Sequence, residues 1–416
     1  MYPDGSLVGG NLWFAPFIPV AGGGMPALVE MNWDGDATVP LWLGPPGKPG
    51  GAIVHHDHQK KNYHVYYSPS HKLPEGNKTL VLSMHNPGDP SDGECPNALE
   101  EISGWPLQDD AIYEVDNETG DVWAWYPCQH FDQMGFDEVA KDAIYYVSPS
   151  PFGVGLGMEG PPFVAGRTSD WQHINAVSYL GPNKWYAKGD ERFHPDNIIW
   201  DSRTNNMIAI IARHDDPNGE WSSGDIVWRV GPQYSKNGAE KEIGQIIGPH
   251  NTHMIPPGLP GAGNILVYDN GGAAGYGALL PGLPGTYPNT LRDYSRVVEF
   301  NPVTLEKVWE YKNPEDKITE EGVRERKFYS ALISSAQRLS NGNTLICEGI
   351  PGRVFEVTRR GEIVWEYINK YYNGPTFGPA SVLGRAVYRA TRVPYCWVPK
   401  EDNHKKPHKW HKKHKK

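Results

Sequence analysis

Four short stretches of the chain begin alike: HHDHQKKNY from residue 55, QHINAVSYL from 172, PHNTHMIPP from 249 and SSAQRLSNG from 334. Three carry histidine at the matched place, His56, His173 and His250, and the fourth carries Ser335. Imidazole offers a neutral nitrogen near pH 7, so several gathered at one place can act as general acid or base, as nucleophile or as metal ligands. His58, His85, His214 and His253 lie close to expected strand ends in the same units. Arg213, in IIARHD, and Arg296, in YSRVVEF, would set a guanidinium beside the imidazoles. That pairing holds a tetrahedral oxyanion such as sulfate or phosphate through forked, charge-assisted hydrogen bonds. His56, Arg213 and His253 are the expected substrate contacts. A metal reading of the same set takes His56, His58, His173 and His250 as ligands, with Asp57 or Asp269 as oxygen donor, and suits zinc, copper or iron, with calcium also a candidate.

Residues this far apart in sequence meet only if the fold gathers them, and internal repeats say how. IYEVDNETGDVWAW from 112, VVEFNPVTLEKVWEY from 297 and VFEVTRRGEIVWEY from 354 each read as an alternating strand, a polar turn and a second alternating strand, a β-hairpin. DIVWRV from 225 is the second half of the same unit, and the segment from 28 is a looser copy. Another strand pair precedes most hairpins, seen best in SAQRLSNGNTLICE from 335, where Asn341-Gly342 is expected to supply two positive-φ residues to a tight turn. Two pairs make a four-stranded antiparallel unit, and helical periodicity is nearly absent. One such sheet cannot bury both faces, but several packed radially can, which gives an all-β fold, a β-propeller. Six blades are expected, with five or seven as alternatives. Residues 129–170 would supply an additional blade, and the segment near 27–44 would be completed by C-terminal strands around 380–398. In a propeller the innermost strands line the channel, so His56, His173 and His250 would form a ring. Trp123, Trp125, Trp228, Trp309 and Trp365 recur in the hairpins and are assigned to packing between blades.

The expected organisation is one propeller domain over 1–399 and a disordered tail over 400–416. The tail holds eight Lys against two acids, so the net charge of -10 leaves a body of about -16 and argues against a nucleic-acid-binding core. The tail itself could touch anionic surfaces or stray metal. No transmembrane segment is legible, and neither a P-loop nor a dinucleotide fingerprint occurs, so no nucleotide cofactor is expected. Cys95, Cys128, Cys347 and Cys396 lack zinc spacing, while Cys95 and Cys128 sit in loop contexts that allow a disulfide bridge. With sequons at Asn77 and Asn117, this favours an extracellular or periplasmic protein, although MYPDGSLVGG does not resemble a signal peptide. Homo-oligomerisation remains open.

DWQHINAV from 170, GPHNTHMIPPGLPGAGNILVYDNG from 248, YSRVVEFNP from 294 and SSAQRLSNGNTLICEG from 334 occur in an order that resembles the arylsulfotransferase family of aryl-sulfate sulfotransferases, and VHHDHQ resembles a motif of its broader relatives. The resemblance implies a six-bladed propeller with a central-channel site. It also implies PAPS-independent transfer of a sulfuryl group from an aryl sulfate to a phenol, by a ping-pong route through a sulfated histidine. By this resemblance His173, His250 and Arg296 match site positions, with His253 competing for the second. The accepting histidine falls at Ser335. A serine hydroxyl needs a base, so the resemblance leaves Ser335 as nucleophile with His250 or His173 as base. A metal-dependent enzyme, and a non-catalytic secreted propeller that binds a glycan or scaffolds an assembly, are the alternatives.

Overall fold

The computed structural model describes residues 7–10, 28–34, 38–42, 53–61, 78–85, 107–136, 169–234, 238–272, 292, 294–313, 328–371 and 385–398. Strands β1 (Leu7–Gly10), β2 (Leu28–Met31) and β3 (Thr38–Trp42) form a three-stranded sheet. Strands β4 (Ile53–Lys60), β5 (Lys78–His85), β6 (Leu107–Asp116) and β7 (Val122–Trp125) form the first full blade, with β8 (Ser169–Asp170) added in parallel to β6. The second blade is β9 (Ile174–Tyr179), β10 (Ile198–Ser202), β11 (Met207–Ile211) and β12 (Ile226–Val230). The third is β13 (Pro249–Met254), β14 (Ile265–Asp269), β15 (Arg296–Phe300) and β16 (Lys307–Tyr311). The fourth is β17 (Ser335–Arg338), β18 (Thr344–Glu348), β19 (Arg353–Val357) and β20 (Ile363–Ile368). Within each blade consecutive strands pair antiparallel, as the hairpin repeats require. The protein is a β-propeller.

Alternation along each strand explains how the blades stack. Side chains of a strand point alternately to its two faces, so one strand feeds two cores. In β10, Ile198 and Trp200 join a cluster with Leu80, Leu82 and Ile112 of the first blade, while Ile199 joins one with Ile265, Val267 and Val298 of the third. Likewise Leu266 and Tyr268 of β14 meet Ala336, Ile346 and Phe355 of the fourth blade. Leu28 of β2 packs with Val54, Val81 and Tyr113 of the first blade. Leu339, Leu345, Cys347 and Val354 of the fourth pack with Val387 and Ala390 near the C-terminus.

The tryptophan assignment is seen at three seams. Trp125, Trp228 and Trp309 are buried, and each indole N–H donates to a carbonyl in the turn between the last two strands of the next blade: Gly224 O at 2.8 Å, Pro302 O at 2.8 Å and Arg359 O at 2.9 Å. Buried glutamates on the third strands repeat the theme. Glu114 pairs with Arg213, Glu299 with Arg338 and Glu356 with Arg392, each cation coming from the following element, and Glu30 of β2 pairs with Lys60 of β4.

Three expectations change in detail. The turn at Asn341-Gly342 has only Gly342 at positive φ, 87°; the Asn341 carboxamide instead accepts the Asn343 N–H, and Leu339 O accepts the Gly342 N–H. Residues 385–398 form turns rather than strands. Their backbone is satisfied by side chains of β17: Ser335 Oγ accepts the Ala390 N–H, Gln337 Oε1 accepts the Arg392 N–H, and Gln337 Nε2 donates to Arg392 O. The segment therefore occupies the position of a next inner strand beside β17 without making a ladder. Of residues 129–170, those up to 136 form short 3-10 turns, and 137–168, like the 400–416 tail, Cys95 and Asn77, lie outside the described residues.

Candidate functional site

The inner strands β4, β9 and β13 lie side by side, and each is broken near its start by an irregularity in register. His56 (φ 50°), His173 (φ 48°) and Asn251 (φ 56°) sit in the left-handed region there, as do Ile333 (φ 54°) and Ser334 (φ 109°) just before β17. That conformation is unfavourable for these residues and persists only where surrounding structure imposes it. A bulge also re-aims a side chain away from the alternation of the strand. Here it brings the His56 and His173 rings, from different blades, to a centroid separation of 4.6 Å.

A second imidazole and a buried carboxylate stand behind His56. Asp110, buried on β6, accepts the Ile174 N–H through Oδ2, and its Oδ1 lies 2.9 Å from His55 Nε2 as a close ion-pair contact rather than an aligned hydrogen bond. His55 Nδ1 lies 2.6 Å from His56 Nδ1. With Asp110 ionised, His55 carries its proton on Nε2 and its Nδ1 accepts the proton of His56 Nδ1. That tautomer leaves the lone pair of His56 Nε2 for chemistry. Burial, and then the neighbouring His173, hold the His56 pKa well below its ordinary value, so the ring is neutral at pH 7. His56 and His173 retain partial exposure.

His250 also belongs to this cluster, since its charge is felt at His56. Both its nitrogens are engaged: Nδ1 meets Asn270 Oδ1 at 2.7 Å and Nε2 accepts the Ile333 N–H at 3.1 Å. Burial and the nearby Arg203 lower its pKa to about 3. The ring joins two blades and is poorly placed to act as a base. His253 is buried, bonds Asn251 O at 2.9 Å and is lowered by burial to about 4; His58, one turn of alternation below His56, is lowered to about 4 by the same cause.

Five other sequence candidates are engaged by neighbouring groups. Arg296 is buried with all five donors used: Nε to Asp269, Nη1 to Ile243 O and Glu310, Nη2 to Gly244 O and Gln245 O. None remains for an oxyanion. Arg213 lies over the Trp123 ring and pairs with Glu114 between the first two blades. Ser335 exchanges hydrogen bonds with the Ala390 backbone, and among the described residues its hydroxyl bonds no imidazole. Asp57 binds Arg389, the His58 N–H and the Val177 N–H, while Asp269 binds Arg292, Arg296 and the Ile247 N–H, so neither offers an idle oxygen. The proposed quartet of His56, His58, His173 and His250 does not gather as a three-ligand set; among the described residues the group that does is His194, Asp196 and His214 on the rim.

The guanidinium beside the imidazoles is Arg389, which sequence reading missed. Its Nη1 donates to Asp57 Oδ1 at 2.8 Å and its Nη2 to Asn175 O at 3.4 Å, so the C-terminal segment reaches across the inner strands of two blades. The Tyr388 ring lies 5.8 Å from His56, and its hydroxyl donates to Asn175 O. A signal existed: YRATRV from 388 places Arg392 as Arg338 stands in SSAQRL from 334, which marks 388–392 as an inner-strand equivalent.

A family model described as Arylsulfotransferase (ASST) matches residues 99–374, more than half of the chain. The chain belongs to the arylsulfotransferase family. No curated protein matches. Among solved structures, the Dos1 propeller is 8% identical (TM-score 0.34; 83% of this chain, 54% of that one). A protein of unknown function from Bacteroides caccae is 14% identical (TM-score 0.33; 88% and 93%), and a putative phosphatase from Bacteroides thetaiotaomicron 8% (TM-score 0.36; 88% and 59%). The chain thus spans about half of the Dos1 propeller chain, and likenesses this low carry no argument about chemistry. Among the described residues no helix is long and apolar enough to cross a membrane.

Proposed function

We propose that the protein is a sulfuryl transferase acting on aryl sulfates in the channel, with His56 rather than Ser335 as the accepting group. The observation that carries this reading is the line Asp110–His55–His56, ending beside His173 and Tyr388 near Arg389. In the first half-reaction His56 Nε2 attacks sulfur, the N–S bond forms, the S–O(aryl) bond breaks, and the phenolate leaves to take a proton from solvent. In the second a phenol oxygen attacks sulfur, its proton passing to solvent or His173, and His56 is regenerated. Attack places positive charge on the His56 ring. The His55–Asp110 pair behind it stabilises that charge, because the Nδ1 proton can shift toward His55. Arg389, held by Asp57, supplies positive potential near the sulfonate oxygens. His173 contacts the substrate, and His250 is a positioning residue through Asn270 and Ile333.

A Cys95–Cys128 disulfide and a location outside the cytosol belong to the same proposal, consistent with Cys347 and Cys396 being the free cysteines among the described residues. The test is turnover of para-nitrophenyl sulfate with and without an added phenol. Expected is acceptor-stimulated release of para-nitrophenol, reduced about 100-fold or more by His56→Ala and retained in Ser335→Ala. A wild-type protein with neither turnover nor sulfate binding, or a fully active His56→Ala variant, overturns the reading.

A further inference from the structure

We propose a second site, for a divalent transition-metal ion of the zinc class, on the rim of the second blade, bound by His194, Asp196 and His214. The ligand atoms of these three residues lie within 4.8 Å of one another. His194 and Asp196 come from the segment leading into β10, and His214 from the turn after β11, so the neighbouring strands β10 and β11 fix the two sides. The two imidazole rings meet edge to face at 4.4 Å, and His214 Nε2 lies 3.2 Å from Asp196 Oδ2. Lys61 takes the other oxygen, Oδ1, at 2.8 Å. The carboxylate is therefore anchored by one oxygen and presents the other to the two histidines, which is the outer-shell arrangement that orients a metal-ligating carboxylate.

A pocket lined by the two histidines, though not by Asp196, adds Glu191, Asp215 and Asp216, with Trp221 and Asn197 as walls. These acids give the site the negative potential that a cation needs despite Lys61. Two imidazoles and one carboxylate select against calcium and magnesium, which take oxygen ligands, and suit zinc with one position open to water. In such a tetrahedron ligand atoms sit about 3.4 Å apart, given metal–ligand distances of about 2.0–2.2 Å, so closure needs side-chain shifts of about 1 Å. His194 Nδ1 accepts the Asp196 N–H at 3.2 Å, which ties the ring to the segment that carries Asp196. Bound metal would tie the β10 entry to the β11 exit, and through Lys61 would tie this rim to β4 of the first blade. This site is separate from the channel and does not depend on the chemistry assigned there.

The experiment uses the full chain, stripped with chelator, because the tail histidines then contribute equally to every variant. Zinc titration is followed by calorimetry, and cobalt(II) is used as a probe of coordination by its visible d–d absorption. Wild type is expected to bind one more equivalent than His214→Ala, with cobalt bands that His214→Ala loses and Asp196→Asn weakens at least tenfold in affinity. His214 is more than half exposed, so its removal leaves the fold intact even if His194→Ala does not. Excess calcium is expected to leave zinc in place. Identical zinc stoichiometry and cobalt spectra in wild type and His214→Ala, or displacement of zinc by calcium, overturn the proposal.

Discussion

The hairpins ending in β7, β12, β16 and β20 come from one repeat, yet among the described residues the tryptophans of three are buried against the next blade and that of the fourth is exposed. Trp125, Trp228 and Trp309 are buried and hydrogen-bonded into the next blade, whereas Trp365, in the same VWEY context as Trp309, is 46% exposed and meets the Arg392 guanidinium at 5.5 Å. Every residue of β20 is exposed. Sequence equivalence thus gives the strand and its direction, while burial is conferred by the next element. Glutamates show the same contrast. Glu299 and Arg338 form a pair that is nearly inaccessible to water, and Arg353 and Glu366 form one that is open to it, at similar distances of 2.7 and 2.5 Å.

If the contrast is one of packing rather than residue type, the two ends of the repeat array will respond differently. Trp125→Ala is expected to destabilise by about 3–5 kcal/mol, because it opens a cavity and strands the Gly224 carbonyl, whereas Trp365→Ala should change stability by less than about 1 kcal/mol in chemical denaturation. Equal losses would break the comparison. Glu299→Ala leaves Arg338 buried without its counter-charge and is expected to lower stability by about 3–5 kcal/mol; Glu366→Ala should lie within about 0–1 kcal/mol and vanish at high salt.

Acid sensitivity sharpens the picture at the channel. His58, His250 and His253 have folded pKa values of about 4, 3 and 4, below an unfolded value near 6.5, so the unfolded state binds more protons as pH falls. Each then removes about 1.4 kcal/mol per pH unit between roughly pH 6.5 and its folded pKa. Asp201, raised to about 7 by burial, takes up a proton in the folded state first and offsets one of the three. Unfolding midpoints should therefore fall between pH 6.5 and 4, and less steeply in His253→Gln; a midpoint that stays flat over that range contradicts the burial of neutral imidazoles. A smaller effect is expected at the seam of the third and fourth blades, where Trp309→Phe keeps the ring but loses the bond to Arg359 O and should cost about 1 kcal/mol.

Periodicity and repetition were enough to read the blade strands, the hairpins, three of the five tryptophans assigned to packing between blades, and the convergence of His56 with His173. Each follows from local chemistry: alternation sets which face is apolar, and a repeat must stack to bury that face. The partners of the candidate groups were not legible. Arg296 was expected to face an anion, and its five donors meet Asp269, Glu310 and three carbonyls; Ser335 was expected to act as a nucleophile, and its hydroxyl accepts the Ala390 N–H. His55 was hidden beside the more conspicuous His56, because its importance rests on Asp110, 55 positions later on β6.

What the amino-acid order decided by itself is the blade, since a strand's two faces and a turn's residues are set within about ten positions. Which imidazole has an unengaged nitrogen, and that Arg389 rather than Arg296 lies beside it, was decided only when the ring of inner strands brought the C-terminal segment against β4 and β9. Hydrogen-bond partners are chosen by distance in space, and residues 57 and 389 acquire such a distance only in the folded chain.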